Sequence, residues 1–207
     1  MKALVEKYAR ARRAGVGAIL RCRLDRLGLY ALRLIFRFDP WHANAPSSCR
    51  PYKRIVVGLA NSLRPSIVVE IGCGLGDIVG RVEAAERIGI DVDSRVIRAA
   101  RFLHHGRGRW VHGDASCVPR LIAEQSEIDC LIMVNWIHSL SPRQLSELLL
   151  PLLPRTRHLI LDAIDADGPP TYRYKHNFDF LPAGTRRLTV ARALGEPRSF
   201  ILFEIAA

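Results

Sequence analysis

Residues 68–77, VVEIGCGLGD, constrain this chain more than any other stretch. Val68, Val69 and Ile71 have the apolar, β-branched character of a buried strand, and Glu70 stands near its end. Gly72, Gly74 and Gly76 then let the backbone turn sharply against something flat and close. Such a turn binds a ligand more often than it merely redirects the chain. A dinucleotide fingerprint has the spacing G-x-G-x-x-G, whereas this run has G-x-G-x-G, with Asp77 where the third glycine would fall. An acidic side chain there would oppose a pyrophosphate at the start of a helix, so a ligand without phosphates is expected.

Strand and helix patterns alternate from this point. Apolar runs predict strands at 67–71, 87–91, 109–113, 129–134, 157–163, 185–193 and 199–205, with helices near 76–84, 94–103, 118–125 and 141–151. Five strands separated by helical stretches imply a mostly parallel sheet covered on both faces. The last two strands are joined only by residues 193–199, too few for a crossover helix, so they should pair antiparallel. Upstream, residues 3–36 read as a helix broken near Gly15 and Gly17, whose Ile19, Leu20, Leu24, Leu27, Leu32 and Ile35 give an apolar docking face. Residues 39–51 read as a linker, and 51–63 as a second helix with Pro51 in its first turn. The simplest organisation is a helical cap or extension over 1–65 and an α/β domain over 66–207.

Charge follows the same division. Residues 1–65 hold 14 Lys and Arg against Glu6, Asp25 and Asp39, while residues 66–207 hold 17 of each sign, so the whole net charge of +11 falls in the first third. Such a region suits a solvated face, an anionic membrane surface, an acidic substrate or protein partner, or nucleic acid. Aromatics and glycines are not interleaved with the charges as an RNA-binding surface would prefer. Arginines at 21, 23, 26 and 33 interrupt the apolar residues, so no targeting peptide or membrane span is expected, and peripheral contact through residues 1–37 stays open. Five cysteines, at 22, 49, 73, 117 and 130, have no metal-ligand spacing and read as reduced thiols of a cytoplasmic protein.

The glycine run, together with GIDVD ending at Asp91 and HGDA containing Asp114, resembles the class I S-adenosylmethionine-dependent methyltransferases over residues 67–206. The resemblance implies an α/β, Rossmann-like methyltransferase fold: a mostly parallel seven-stranded sheet in the order 3-2-1-4-5-7-6, with a C-terminal antiparallel hairpin and helices on both faces. It implies S-adenosylmethionine as cofactor and S-adenosylhomocysteine as product. Glu70 would then help hold the methionine amino group, and Gly72, Cys73, Gly74 and Gly76 would wrap the methionine and ribose. Asp91 would take both ribose hydroxyls, since a carboxylate offers two acceptors to two adjacent donors. Val92 would lie against the adenine, Asp114 would accept from its amino group with Ala115 lending backbone, and Asn135 would join the cofactor site after the fourth strand. Asp91 or Asp114 alone is equally well read as a helix cap.

That fourth strand leads into Asn135, Trp136, Ile137 and His138, without the adjacent prolines and tyrosine of the N-P-P-Y or D-P-P-Y motif that some amino, RNA and DNA methyltransferases carry there. Displacement at a sulfonium methyl needs chiefly an aligned nucleophile. A hydroxyl acceptor also needs its proton removed, which makes His138 the candidate general base, with positioning and purely structural roles as alternatives. Asp162 is placed to orient a histidine or contact substrate; with Asp165 it does not make a persuasive metal site, and no metal is expected. Tyr172, Tyr174 and His176, in the long connection after the fifth strand, and Trp41, His42 and Tyr52 upstream, are candidates with Trp136 for an aromatic substrate wall; the alternative is that the aromatics tack the loop to the sheet. The expectation is methyl transfer to a small or medium-sized acceptor, most readily at oxygen. An RNA or protein methyltransferase and a noncatalytic cofactor-binding subunit remain as other readings, and a homodimer is compatible with all three.

Overall fold

Side chains that alternate along the strands divide the core into two layers, because successive residues of a strand point to opposite faces of a sheet. Val69, Ile71, Leu131, Met133, Leu159, Leu161, Ile201 and Phe203 face one layer. Val68, Cys130, Ile132, Ile160, Phe200 and Leu202 face the other. The computed structural model describes the chain except residues 1, 45, 123–125, 167, 170, 193–195 and 207, and gives backbone only for 2–16.

Seven strands form one sheet: β1 (Ile67–Ile71), β2 (Glu86–Asp91), β3 (Arg109–His112), β4 (Ile128–Met133), β5 (Thr156–Ile164), β6 (Arg186–Arg192) and β7 (Arg198–Glu204). Their order is β3-β2-β1-β4-β5-β7-β6. The first five are parallel, and β7 pairs antiparallel with both β5 and β6. This is the sheet expected from the alternation and the short last connection. The order reverses between β1 and β4, which opens a crevice beyond their C-terminal ends where α/β sheets bind ligands.

The helices are α1 (Lys2–Phe36), α2 (Pro40–Asn44), α3 (Pro51–Ser62), α4 (Ser94–Leu103), α5 (Val118–Leu121) and α6 (Pro142–Leu149). Asp93 caps α4 by accepting from Arg95 N–H. Ser141 and Gln144 close a reciprocal capping box on α6. The helix expected at 76–84 is absent; turns and a 3-10 turn at Val79–Arg81 stand in its place. Gly76 at φ 75° and the diversion of Val79 N–H to the Glu70 carboxylate interrupt the helical ladder there. The helix expected at 118–125 is described only as α5, and residues 123–125 lie outside the described chain.

The chain divides into two compact units, Met1–Pro51 and Tyr52–Ala207. Helix α3, read from sequence as part of the extension, therefore belongs with the sheet: its Tyr52, Val56 and Ala60 are buried in one core layer. Within the first unit, α1 runs without the break expected at Gly15 and Gly17. A helical glycine costs only about 1 kcal/mol, which a long helix tolerates. The stretch read as a linker contains α2 and a 3-10 turn at Ser47–Cys49, and Cys22 is disulfide-bonded to Cys49. That bond corrects the reading of all five cysteines as reduced thiols; Cys73, Cys117 and Cys130 are free.

Candidate functional site

Three successive strand ends present the acidic residues singled out in the sequence. Glu70, at the end of β1, is only 3% exposed and accepts from Val79 N–H at 2.9 Å. Gly72, Gly74 and Gly76 follow with φ of 74°, 54° and 75°, the left-handed region that glycine enters without strain. The loop is stitched to the end of β2: Gly72 and Cys73 N–H donate to Ile90 O, and Gly74 N–H donates to Asp91 Oδ2 at 2.8 Å. The other Asp91 oxygen accepts from Asp93 N–H. Val92 beside it is exposed. After β3, Asp114 accepts from Ser116 N–H and Oγ through Oδ1 and caps a 3-10 turn that contains the buried Ala115. Those hydrogen bonds lower its pKa.

The loop is also supported by aromatic side chains. His104 stacks on Trp110 at 4.7 Å and lies 3.0 Å from Leu75 O through Nε2. A Cβ on Gly76 would meet the Trp110 ring at 2.2 Å. His104 stands just past the end of α4 as its C-cap, and the fold brings it to the loop. At the loop's start, Trp136 Nε1 donates to Ile71 O at 2.7 Å, and a Cβ on Gly72 would come within 2.2 Å of the same nitrogen. Gly72→Ala is therefore expected to lose about 1–3 kcal/mol of stability from backbone strain and displacement of the indole, read as a lower unfolding midpoint in denaturant.

Burial pushes the Glu70 carboxyl up to about 8, against the opposing pull of the Val79 N–H and of Lys53. The unfolded carboxyl ionises near 4.5, so between that pH and about 8 the unfolded state has released a proton that the folded state keeps. Stability then falls as pH rises through this window. Glu70→Gln, which keeps an acceptor for Val79, is expected to gain stability relative to wild type as pH is raised from about 4.5 to about 8. Parallel pH profiles in thermal melts would refute the assignment.

The ends of β4 and β5 build a second cluster. Asn135 adopts a left-handed φ of 81°, donates its N–H to Asp162 Oδ1 at 2.9 Å, and accepts from Arg198 at 3.0 Å. Asp162 is fully buried, and its Oδ2 lies 3.2 Å from Arg198 and 3.1 Å from His138 Nε2. The His138 contact is close but not aligned as a hydrogen bond, and Nε2 has no hydrogen-bond partner among the described residues. The other ring nitrogen, Nδ1, is buried without a hydrogen-bond partner among the described residues. Arg198 is 2% exposed, bonds Glu196, and places its guanidinium 4.0 Å from the Tyr52 ring centroid. The strand read from sequence began at 199, and nothing in the sequence singled Arg198 out.

The long connection after β5 docks on this cluster. Tyr172 meets the His138 ring edge-on at 5.2 Å, and His176 lies parallel to it at 5.9 Å. His176 Nε2 lies 3.0 Å from Ile137 O, and Tyr174 N–H donates to His138 O. Burial lowers the pKa of His176, which favours its neutral ring. Arg173 places its guanidinium over the Tyr174 ring.

Several expected positions serve other contacts. Asp162 is fully buried, with both oxygens engaged by neighbouring groups. Tyr52 is buried and stacked on Phe200 at 5.4 Å, which takes it out of a substrate wall. Trp41 and His42 belong to α2 of the first unit, where His42 meets Phe38 edge-on. Asp77 heads no helix: its carboxylate binds Lys53 at 2.7 Å and Arg81 at 2.8 Å, and these cations keep its pKa low despite burial.

No protein-family model matches the chain, and no curated protein matches its sequence. Solved structures match its fold. Magnesium protoporphyrin IX methyltransferase (ChlM) from Synechocystis PCC 6803, with bound SAM, is 15% identical over 75% of this chain and 80% of that one, with a TM-score of 0.57. The N-methyltransferase NodS from Bradyrhizobium japonicum WM9, bound to S-adenosyl-L-homocysteine, is 15% identical over 86% of this chain and 98% of that one, with a TM-score of 0.66. TehB from Haemophilus influenzae is 13% identical over 74% and 62%, with a TM-score of 0.53. The chain has the Rossmann-like fold of the class I S-adenosylmethionine-dependent methyltransferases.

Proposed function

We propose that this chain, folded as a class I methyltransferase, is an enzyme that transfers a methyl group from S-adenosylmethionine to a hydroxyl of a small or medium-sized acceptor. The observation that carries the reading is the convergence of Glu70, the Gly72–Gly76 loop, Asp91 and Asp114 at the C-terminal ends of three adjacent parallel strands, with Gly74 N–H tied to Asp91 at 2.8 Å. These groups suit an adenosine that bears an amino acid. Glu70 would hold the amino group, and Gly72, Cys73, Gly74 and Gly76 the methionine and ribose. Asp91 would take the ribose hydroxyls, Val92, Asp114 and Ala115 the adenine, and Asn135 the methionine end. The methyltransferases of similar fold, ChlM and NodS, were solved with SAM or SAH, which supports the same cofactor here.

When bound, the cofactor supplies an electrophilic methyl group. His138 Nδ1 would take the proton that the acceptor's hydroxyl gives up. The buried carboxylate of Asp162 stabilises the resulting imidazolium from the Nε2 side. Tyr172 and Trp136 are the side chains we assign to acceptor contact.

Isothermal titration with S-adenosylmethionine tests the shared premise. The wild-type protein is expected to bind, and Asp91→Ala to bind about 10–100-fold more weakly, the loss that follows removal of a charged acceptor from two hydroxyl donors. Absence of binding by a folded wild-type protein would overturn the reading.

A further inference from the structure

Helix α1 carries an apolar stripe that its own unit leaves uncovered. Leu20, Leu24, Leu27, Ala31, Leu34 and Ile35 recur at intervals of three and four residues, and all are exposed; Leu27 is 66% and Leu34 77% exposed. Such spacing places them along one side of the helix. The opposite side is occupied by the chain itself. There Cys22 is bonded to Cys49 and Arg33 donates to Phe38 O, while at the stripe's edge Tyr30 Oη donates to Asn44 Oδ1 at 2.7 Å. The helix is thus held by one side with its leucines outward.

Charge identifies the occupant of that stripe. Residues 1–51 carry 11 Lys and Arg against three acidic residues, a net +8. Arg21 and Arg23, both exposed, flank the stripe on its two edges. Pairing with a second copy along the same seam would bring these arginines into the flanking positions of a coiled coil, where complementary acidic residues are needed and none stands next to the seam. The pattern also covers only about two heptads, short for a stable coiled coil. An anionic lipid surface meets both requirements, since acyl chains cover the leucines and headgroups neutralise the arginines. Among the described residues no helix is long and apolar enough to cross a membrane, which leaves α1 to lie in the interface.

We propose that α1 docks the protein on anionic membrane surfaces through the Leu20–Leu24–Leu27–Ala31–Leu34–Ile35 stripe. None of the stripe's residues is assigned to methyl transfer, and the inference stands whether or not that activity is found. The test is co-sedimentation of the full chain with phosphatidylcholine vesicles and with mixed phosphatidylcholine/phosphatidylglycerol vesicles. Partitioning onto the anionic vesicles should exceed that onto the neutral ones by about tenfold or more and weaken with salt. Leu24→Gln with Leu27→Gln, which keeps charge and helix propensity, should cut partitioning by about tenfold or more without altering the melting temperature. Arg21→Gln with Arg23→Gln should weaken binding to the anionic vesicles and leave any binding to neutral ones unchanged. Failure to bind anionic vesicles would overturn the proposal. So would binding that survives the leucine substitutions at full strength, which would mark simple charge attraction. A dimer in sedimentation equilibrium that the leucine substitutions dissolve, without vesicle binding, would assign the stripe to self-association instead.

Discussion

His138→Ala is expected to slow methyl transfer by about 10²–10⁴-fold while leaving affinity for S-adenosylmethionine nearly unchanged. The side chain is 3% exposed, its Nε2 stands 3.1 Å from a fully buried carboxylate, and its Nδ1 has no hydrogen-bond partner among the described residues. A buried ring nitrogen without a partner costs free energy unless something else satisfies it. An acceptor hydroxyl would do so at the moment its proton has to leave. The measurement is S-adenosylhomocysteine formation with an acceptor that the wild-type protein turns over. Imidazole added to the alanine variant should restore part of the rate, which a packing role would not allow. Wild-type turnover by the variant would remove His138 from the chemistry.

Arg198→Met should cost about 3–5 kcal/mol of folding stability, because it leaves the Asp162 carboxylate buried without its cation. For a chain of this size that is a fall in melting temperature of roughly 6–20 °C. Asp162→Asn in the same background removes the stranded charge, so the double variant should recover much of the loss. Its turnover should stay low, since His138 then lacks the carboxylate beside Nε2 and Asn135 lacks the guanidinium that bonds its side chain. Stability and activity would thus separate in the double variant. Equal melting temperatures for wild type and Arg198→Met would show that the arginine only packs against the Tyr52 and Phe200 rings.

The two clusters were legible to different degrees. Glu70, the glycine loop, Asp91 and Asp114 each follow a strand within a few residues, so local pattern placed them at one edge once the strands were parallel. His138 and Asp162 were likewise visible as residues at neighbouring strand ends, and the fold brings them to 3.1 Å. Arg198 was invisible because it opens β7, whose antiparallel register with β5 brings it to Ile164 and its side chain to Asp162, 36 residues away. Tyr52 misled for the same reason: an aromatic upstream of the domain gives no sign that it stacks beneath an arginine from the last strand. The helix at 76–84 failed because a periodic apolar pattern does not reveal that a buried carboxylate will claim the Val79 N–H.

By itself the sequence determined the strands, the parallel body with its antiparallel end, the glycine turn, and the concentration of positive charge in the N-terminal third, because periodicity, glycine and charge act over a few residues. Tertiary structure alone decided which charges are neutralised and which rings are enclosed. Asp77 is turned to Lys53, 24 residues away, Asp162 to Arg198 and His138, and the leucines of α1 outward by the disulfide and polar contacts on its opposite side. Those outcomes rest on partners distant in the chain, brought together by the packing of strands and helices, and on the cost of burying a charge without a counter-charge.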